Sequence, residues 1–393
     1  EKIGALSQDQ KNPLSRVCVA NSCFSLEPVR GCPLRCAYCI AGNDCRNLII
    51  NKSSYHKKLD EINTKKLIPR KPEILFSGKL LAQTLVKHPG FIKNKSIISV
   101  AIGSSEAFLP GVEQETWAAM KYIANHNLTN PFWFAVKYGI HNSILAKWQK
   151  RFSYLVNKKI KILISVSESS APSWLEPYQG NRFNNLDKIA KTGVHISHHL
   201  RPIIRGITDS ENSLKESLKK SLDLVESICV GGLRIDPGIV LLWKHINKQD
   251  PGILPKFSET EKGLPPKKDL PPKIFKKVEK IIKQSGKNIP VYLRSSNALS
   301  QAFSIPDVNL YDFRVEDDSV FLKIPTSLQK KIEIKHRSKL SDSFQNIANS
   351  IGLTSIKFKI NKDMISLNKK LNYPEHRLLI HAISHSEILT NIK

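Results

Sequence analysis

The sequence predicts an α/β protein: a TIM-like, incomplete (β/α) barrel followed by a small α+β C-terminal appendage. Three observations carry that expectation. From about Glu73 to Arg294, short β-branched runs alternate with amphipathic stretches, the pattern of repeated βα units and a parallel sheet. Beyond about Tyr311 that rhythm stops. The chain has 393 residues, 40% of them apolar, enough to bury at least one large core.

Taken in order, strands are expected at 73–77, 97–102, 132–137, 160–166, 194–201, 228–235 and 289–293, and helices near 79–88, 113–126, 142–156, 182–192, 210–227 and 271–285. A further strand just before Cys32 would extend the barrel. Two interruptions break the alternation: the polar, Lys-rich stretch 46–72, read as a long loop with a helix, and the Pro-rich run 251–272, which cannot continue a helix or a central strand. These features divide the chain into a barrel over 1–310 and a basic appendage over 311–393. The appendage joins a helical stretch to strand-like IKFKI and LLIHAIS. Parallel sheets of this type place chemistry at the carboxyl ends of their strands, so polar residues there are the candidate site.

Lys and Arg together number 61 against 34 acids, a net charge of +27, and 47 of the 61 are Lys. Such a balance suits an anionic partner, but a solvated Lys-rich surface gives the same number, and guanidinium is the more usual reader of phosphates and bases. No apolar run approaches the roughly 18 residues that span a bilayer, and the first residues lack a basic-then-apolar signal. A cytoplasmic, soluble protein without a membrane partner is expected.

Six of the seven Cys fall between Cys18 and Cys45, and the seventh is Cys229. A disulfide framework would be spread along a short secreted chain, so this clustering points to a metal. Cys32, Cys36 and Cys39 have the spacing C-x3-C-x2-C. Three thiolates in one tight loop suit three corners of a [4Fe-4S] cluster and leave the fourth iron open to a cofactor or substrate. A zinc loop would need a fourth ligand, which Cys45 could supply, but the second downstream pair usual for zinc is missing.

With Tyr38 just before the third Cys, the motif resembles that of the radical S-adenosylmethionine (SAM) superfamily. Over about 27–314 the chain looks most like its spore photoproduct lyase-like branch, through EPVRGCPLRCAYC, VAIGSSEAFLPGVE, FAVK, ILISVSES followed by LEP, and GVHISHHLRPIIRGITDS. The resemblance implies that the open iron of the cluster binds SAM, whose reductive cleavage gives a 5′-deoxyadenosyl radical that abstracts hydrogen from a substrate. It implies Ser104, Ser105 and Glu106 near the SAM amine, Lys137 on its carboxylate, and Ser165 and Ser167 on its ribose. It also implies a reducing partner such as flavodoxin or ferredoxin. Where photoproduct lyases carry a hydrogen-returning Cys, this chain has Ala101, Ile102 and Gly103.

Cys229 is then a candidate hydrogen donor, although a lone Cys on a strand is more often a small buried apolar residue. Glu168 and Arg201 sit at strand ends, facing the site or pairing with one another. On 194–201, period two puts His195 and His199 on one face and His198 on the other. A nucleic acid or a peptide is the favoured substrate. The competing class is a non-enzymatic nucleic-acid-binding protein with a structural metal-binding Cys loop, motivated by the charge.

Overall fold

The computed structural model describes residues 12–19, 22–34, 36, 38–39, 71–235, 267–269, 273–305, 312–316, 319–323, 337–361, 364–369, 371 and 373–385. Cys45, the stretch 46–70 and nearly all of the Pro-rich run lie outside these residues.

The centre is a nine-stranded sheet. Its members are β1 (Val17–Val19), β2 (Phe24–Leu26), β5 (Ile98–Val100), β6 (Phe132–Val136), β7 (Ile162–Glu168), β8 (His195–Ile203), β9 (Ser227–Ile235), β10 (Lys267–Asp269) and β11 (Val291–Tyr292). From β2 to β9 the strands lie side by side in chain order and all run parallel, with β11 also parallel to β9. Only β1 and β10 are antiparallel to their neighbours. Among the described residues no ladder joins the two edges of the sheet.

The expected strand 73–77 is not part of this sheet. Only Glu73–Ile74 is extended (β4), and it pairs antiparallel with β3 (Val29–Arg30) in a separate two-stranded ribbon. The reason lies in burial: β2, with Phe24 and Leu26 fully buried, takes the place beside β5, whereas Ile74 is exposed. The strand expected before Cys32 is therefore β2, with β3 leading into the Cys loop.

Six helices follow as βα units: α1 (Gly78–Val86), α2 (Val112–Asn125), α3 (Asn142–Asn157), α4 (Leu186–Ala190), α5 (Glu211–Lys219) and α6 (Ile274–Gln284). Ser77 and Ser210 cap α1 and α5 by accepting from the backbone N–H three residues on. Two helices stop short of their expected spans, since 182–185 and 220–224 turn instead. A Cβ on Gly78 would lie 1.9 Å from the Glu115 carbonyl, so glycine is what lets α1 approach α2. Buried Glu113 of α2 ties α3 down, receiving Lys147 at 3.0 Å and Arg151 at 2.7 Å.

All six helices bury their apolar stripes in one core with Leu26, Phe134, Ile164, Ile196 and Ile228 of the strands. The alternate strand residues Cys23, Trp133, Leu163 and Cys229 look the other way. There they pack against α7 (Ser295–Phe303), a helix the sequence reading did not anticipate. The sheet is thus covered by six helices on one face and by α7 on the other.

The C-terminal residues form a four-stranded antiparallel sheet, in the order β12 (Asp312–Glu316), β13 (Ser319–Lys323), β15 (Met364–Leu367), β14 (Phe358–Asn361), with helices α8 (Arg337–Ser350) and α9 (Tyr373–His385). LLIHAIS, read as strand-like, is helical. An apolar run has no period that separates strand from helix, and Pro374 in the first turn favours helix initiation. Helix α9 also reaches the central sheet: the His381 ring lies 4.5 Å from that of Phe24, and its Nε2 is 3.0 Å from Ser96 Oγ.

Candidate functional site

The Cys loop follows β3 and lies over the carboxyl ends of the parallel strands. Cys36 is buried, and Cys32 and Cys39 are half-buried, in one apolar nest with Leu34, Tyr38, Leu175, Ile204 and Leu233. The Cys39 N–H donates to the Cys36 carbonyl at 3.0 Å, closing the turn. Burial pushes the Cys36 thiol up to about 12, opposed by the Lys137 ammonium, and pushes Cys32 up further, with Glu106 and the other two thiols adding to the shift. Ligation requires thiolates, so a metal's own charge would have to offset this desolvation. Among the described residues no three Cys, His, Asp or Glu side chains stand at single-ion spacing. A four-iron cube spreads three thiolates more widely than one ion does. The donor set, three thiols in an apolar shell, fits such a cluster.

Lys137 follows the last residue of β6 and is anchored to the same loop. Its Nζ donates to Tyr38 Oη at 2.6 Å and to Glu176 Oε1 at 2.5 Å, and it sits 4.8 Å from the Tyr38 ring centre. Tyr38 also donates to Glu176, and Cys36 Sγ lies 3.9 Å from the same oxygen. Arg182 completes the network, 2.8 Å from Glu176 and 3.3 Å from Glu168, while Lys220 holds Glu168 at 3.0 Å. Burial alone would raise both carboxyls, but the cations outweigh it and both lie below their ordinary range. The carboxylate facing Lys137 is therefore the chain's own Glu176.

The segment after β5 is held from below by Glu27. That buried carboxylate accepts from Ser25 and Ser104 hydroxyls and from the Gly103 N–H at 2.8 Å. Arg16 supports the same corner through the Glu27 and Val29 carbonyls, each at 2.8 Å. Ser104 is thus engaged within the protein. Ser105 Oγ is shielded from solvent with no partner among the described residues. Glu106 accepts from the Lys137 N–H at 2.8 Å, and burial raises its carboxyl to about 7.

Ser165 and Ser167 lie on the α7 face of β7. Ser165 Oγ accepts from Trp133 Nε1 at 2.9 Å, and Ser167 Oγ donates to the Arg201 carbonyl at 3.2 Å. Glu168 and Arg201 do not pair: Glu168 goes to Arg182 and Lys220, and Arg201 donates to Ser295 Oγ at 2.9 Å. Cys229 is fully buried beside His199, 3.7 Å from the Arg294 carbonyl, and burial pushes its thiol up to about 11. It therefore stands as a neutral thiol. Cys23 belongs to the apolar layer with Ile97 and Trp133, not to the nest around Cys36.

The two-faced reading of β8 matches the geometry. His198 lies among the helices, edge-on to Phe183, with Nδ1 2.8 Å from Ser221 Oγ and Nε2 3.0 Å from the Glu168 carbonyl. His199 faces Trp133. Glu27, Glu176 and Arg182 escaped sequence reasoning as individual residues, although EPVRGC and LEP contain the two acids. No family model matches this chain, and neither the curated proteins nor the solved structures provide a match.

Proposed function

We propose that the protein is a radical SAM enzyme whose barrel is incomplete, carrying a [4Fe-4S] cluster on Cys32, Cys36 and Cys39 and acting on a nucleic acid or peptide in the cytoplasm with a flavodoxin- or ferredoxin-like reductant. One observation carries the reading: the C-x3-C-x2-C loop sits in an apolar nest over the carboxyl ends of a parallel sheet. The consecutive strand order, with the six βα-unit helices on one face, supports an opened barrel rather than a doubly wound sheet.

When bound, the cluster would supply one electron to cleave SAM at its open iron. The chain's own residues do the rest. Leu34, Leu175, Ile204 and Leu233 exclude water around the thiols. Glu176, gripped by Lys137 and Arg182, fixes Tyr38 and with it the loop between Cys36 and Cys39. Glu27 fixes Gly103 and Ser104, which presents the free Ser105 hydroxyl and the Glu106 carboxyl for a cationic amine. Ser165 keeps its own O–H available while accepting from Trp133.

Anaerobic reconstitution with iron and sulfide should give a broad visible charge-transfer absorption, and SAM with dithionite should give 5′-deoxyadenosine. Replacing Cys32, Cys36 and Cys39 together by Ala should abolish both. Retention of the absorption in that variant rejects the cluster assignment. A metal loop that cleaves no SAM, with tight salt-dependent binding to DNA or RNA, would favour the non-enzymatic alternative suggested by the +27 charge.

A further inference from the structure

We infer that the α7-covered face of the central sheet carries a phosphate-binding site centred on Arg201 and His199, so that the substrate bears a phosphate ester. The word substrate rests on the function proposed above; the site itself rests on geometry. On β8, Ile196 and Leu200 join the helix-side core, which turns His199 and Arg201 to the opposite face. Cys229 of β9 lies directly beside His199 in the ladder. Beyond it, a Cβ on Gly231 would fall 3.2 Å from Arg201 Nε, so the bare backbone there is what lets the guanidinium lie against β9.

The donor-capable atoms at this face that lack a partner among the described residues include His199 Nε2, Arg201 Nε and Ser296 Oγ, together with Ser197 Oγ on the same side of β8, each shielded from solvent. His199 is only 2% exposed and Ser296 is fully buried. Satisfying such groups is the rule, so orphans gathered on one strand and the helix covering it mark the place of a ligand. Arg201 has no carboxylate at ion-pair distance among the described residues, its side-chain bond going to Ser295. Arg182, by contrast, has two. A permanently charged guanidinium held against a sheet with no counter-ion among the described residues is costly, and an anion removes that cost. Burial, reinforced by Arg201, keeps His199 neutral, so it offers a hydrogen bond and not a second charge. Donors arriving from both a strand and a helix suit a tetrahedral oxyanion better than a planar carboxylate, and the +27 charge suits an anionic partner.

The test is phosphorus NMR line broadening of dimethyl phosphate and inorganic phosphate on the full-length protein, with acetate as competitor. Saturable broadening is expected, with affinity reduced at least about tenfold by Arg201→Met and by His199→Phe, and an intermediate loss in Arg201→Lys, which keeps the charge but not Nε. Circular dichroism melting checks that each variant folds. If Arg201→Met melts early, Gly231→Ala replaces it, because its methyl crowds Nε without removing the charge. No saturable broadening in the wild type, unchanged affinity in the folded variants, or equal competition by acetate would each overturn the inference. Wild-type production of 5′-deoxyadenosine without substrate is measured in parallel. Its absence alongside intact phosphate binding rejects the radical reading and leaves the site standing.

Discussion

Lys137 shows how a side chain can be legible by place and misjudged by partner. Its position after a β-branched run marks it as a strand-end residue, yet nothing in FWFAVK says that Glu176 and Tyr38 will meet its ammonium. Replacing it with Met leaves Glu176 paired with Arg182 alone, so the expected loss is about 2 to 3 kcal/mol of stability, below the full cost of orphaning a buried charge. Under the proposed function, SAM affinity should fall as well, because Tyr38 and the Cys loop lose their brace. Denaturant unfolding and equilibrium SAM binding read the two separately, and an unchanged SAM affinity would confine Lys137 to a structural role. The thiols were readable because all three lie within one short loop. Glu27, Glu176 and Arg182 were not, since which acid turns inward is decided by strands and loops far apart in sequence.

His198 carries a pH prediction at the same scale. Burial lowers its pKa to about 4, and the Glu168 carbonyl, able only to accept, requires the proton on Nε2. The unfolded chain binds a proton near pH 6.5 and the folded protein only near 4. Stability from the neutral ring is therefore fully present above about 6.5 and is lost as pH falls toward 4, by up to about 3 kcal/mol. Buried His385, also lowered to about 4, adds a loss of the same sign over the same window. Melting temperatures from pH 7.5 to 5 should drop in the wild type and drop less in His198→Gln; equal slopes would refute the assignment.

At the scale of elements, βα alternation was visible because each strand is a short β-branched run and each helix carries its own apolar stripe. What escaped notice has physical causes. The run at 73–77 has strand composition, but β2 fills its place; LLIHAIS has no readable period; and SSNALSQAF is too weakly apolar to announce α7. Yet α7 packs on the face of the sheet opposite the six helices, with Leu299 fully buried among Trp133, Leu163 and Cys229. Leu299→Ala should cost about 2 to 5 kcal/mol by opening a cavity there. The control is Gln301→Ala, whose partners are Tyr292 and the Glu226 carbonyl near the surface and which should cost under about 1 kcal/mol. Equal losses in the two would mean that α7 contributes no packed layer.

For the whole molecule the open question is whether the positive charge serves recruitment or only follows composition. Removing 321–393 is a poor test, because His381 of α9 packs on Phe24 and bonds Ser96, so truncation would uncover the edge of the central sheet. Helix α6 offers a cleaner one. Its apolar stripe of Ile274, Val278, Ile281 and Ile282 faces the core, while Lys276, Lys280 and Lys283 lie on the exposed side at helical spacing. Exchanging these three for Glu leaves the buried stripe untouched and removes three cations from one surface. If α6 tracks a phosphate backbone, affinity for a labelled oligonucleotide should fall steeply between about 50 and 200 mM salt, and the triple variant should flatten the logarithmic slope by roughly 2 to 3. Fluorescence anisotropy gives both slopes directly. A wild-type protein that binds no oligonucleotide in a salt-dependent way assigns the charge to composition, and a variant with the wild-type slope moves the binding surface away from α6.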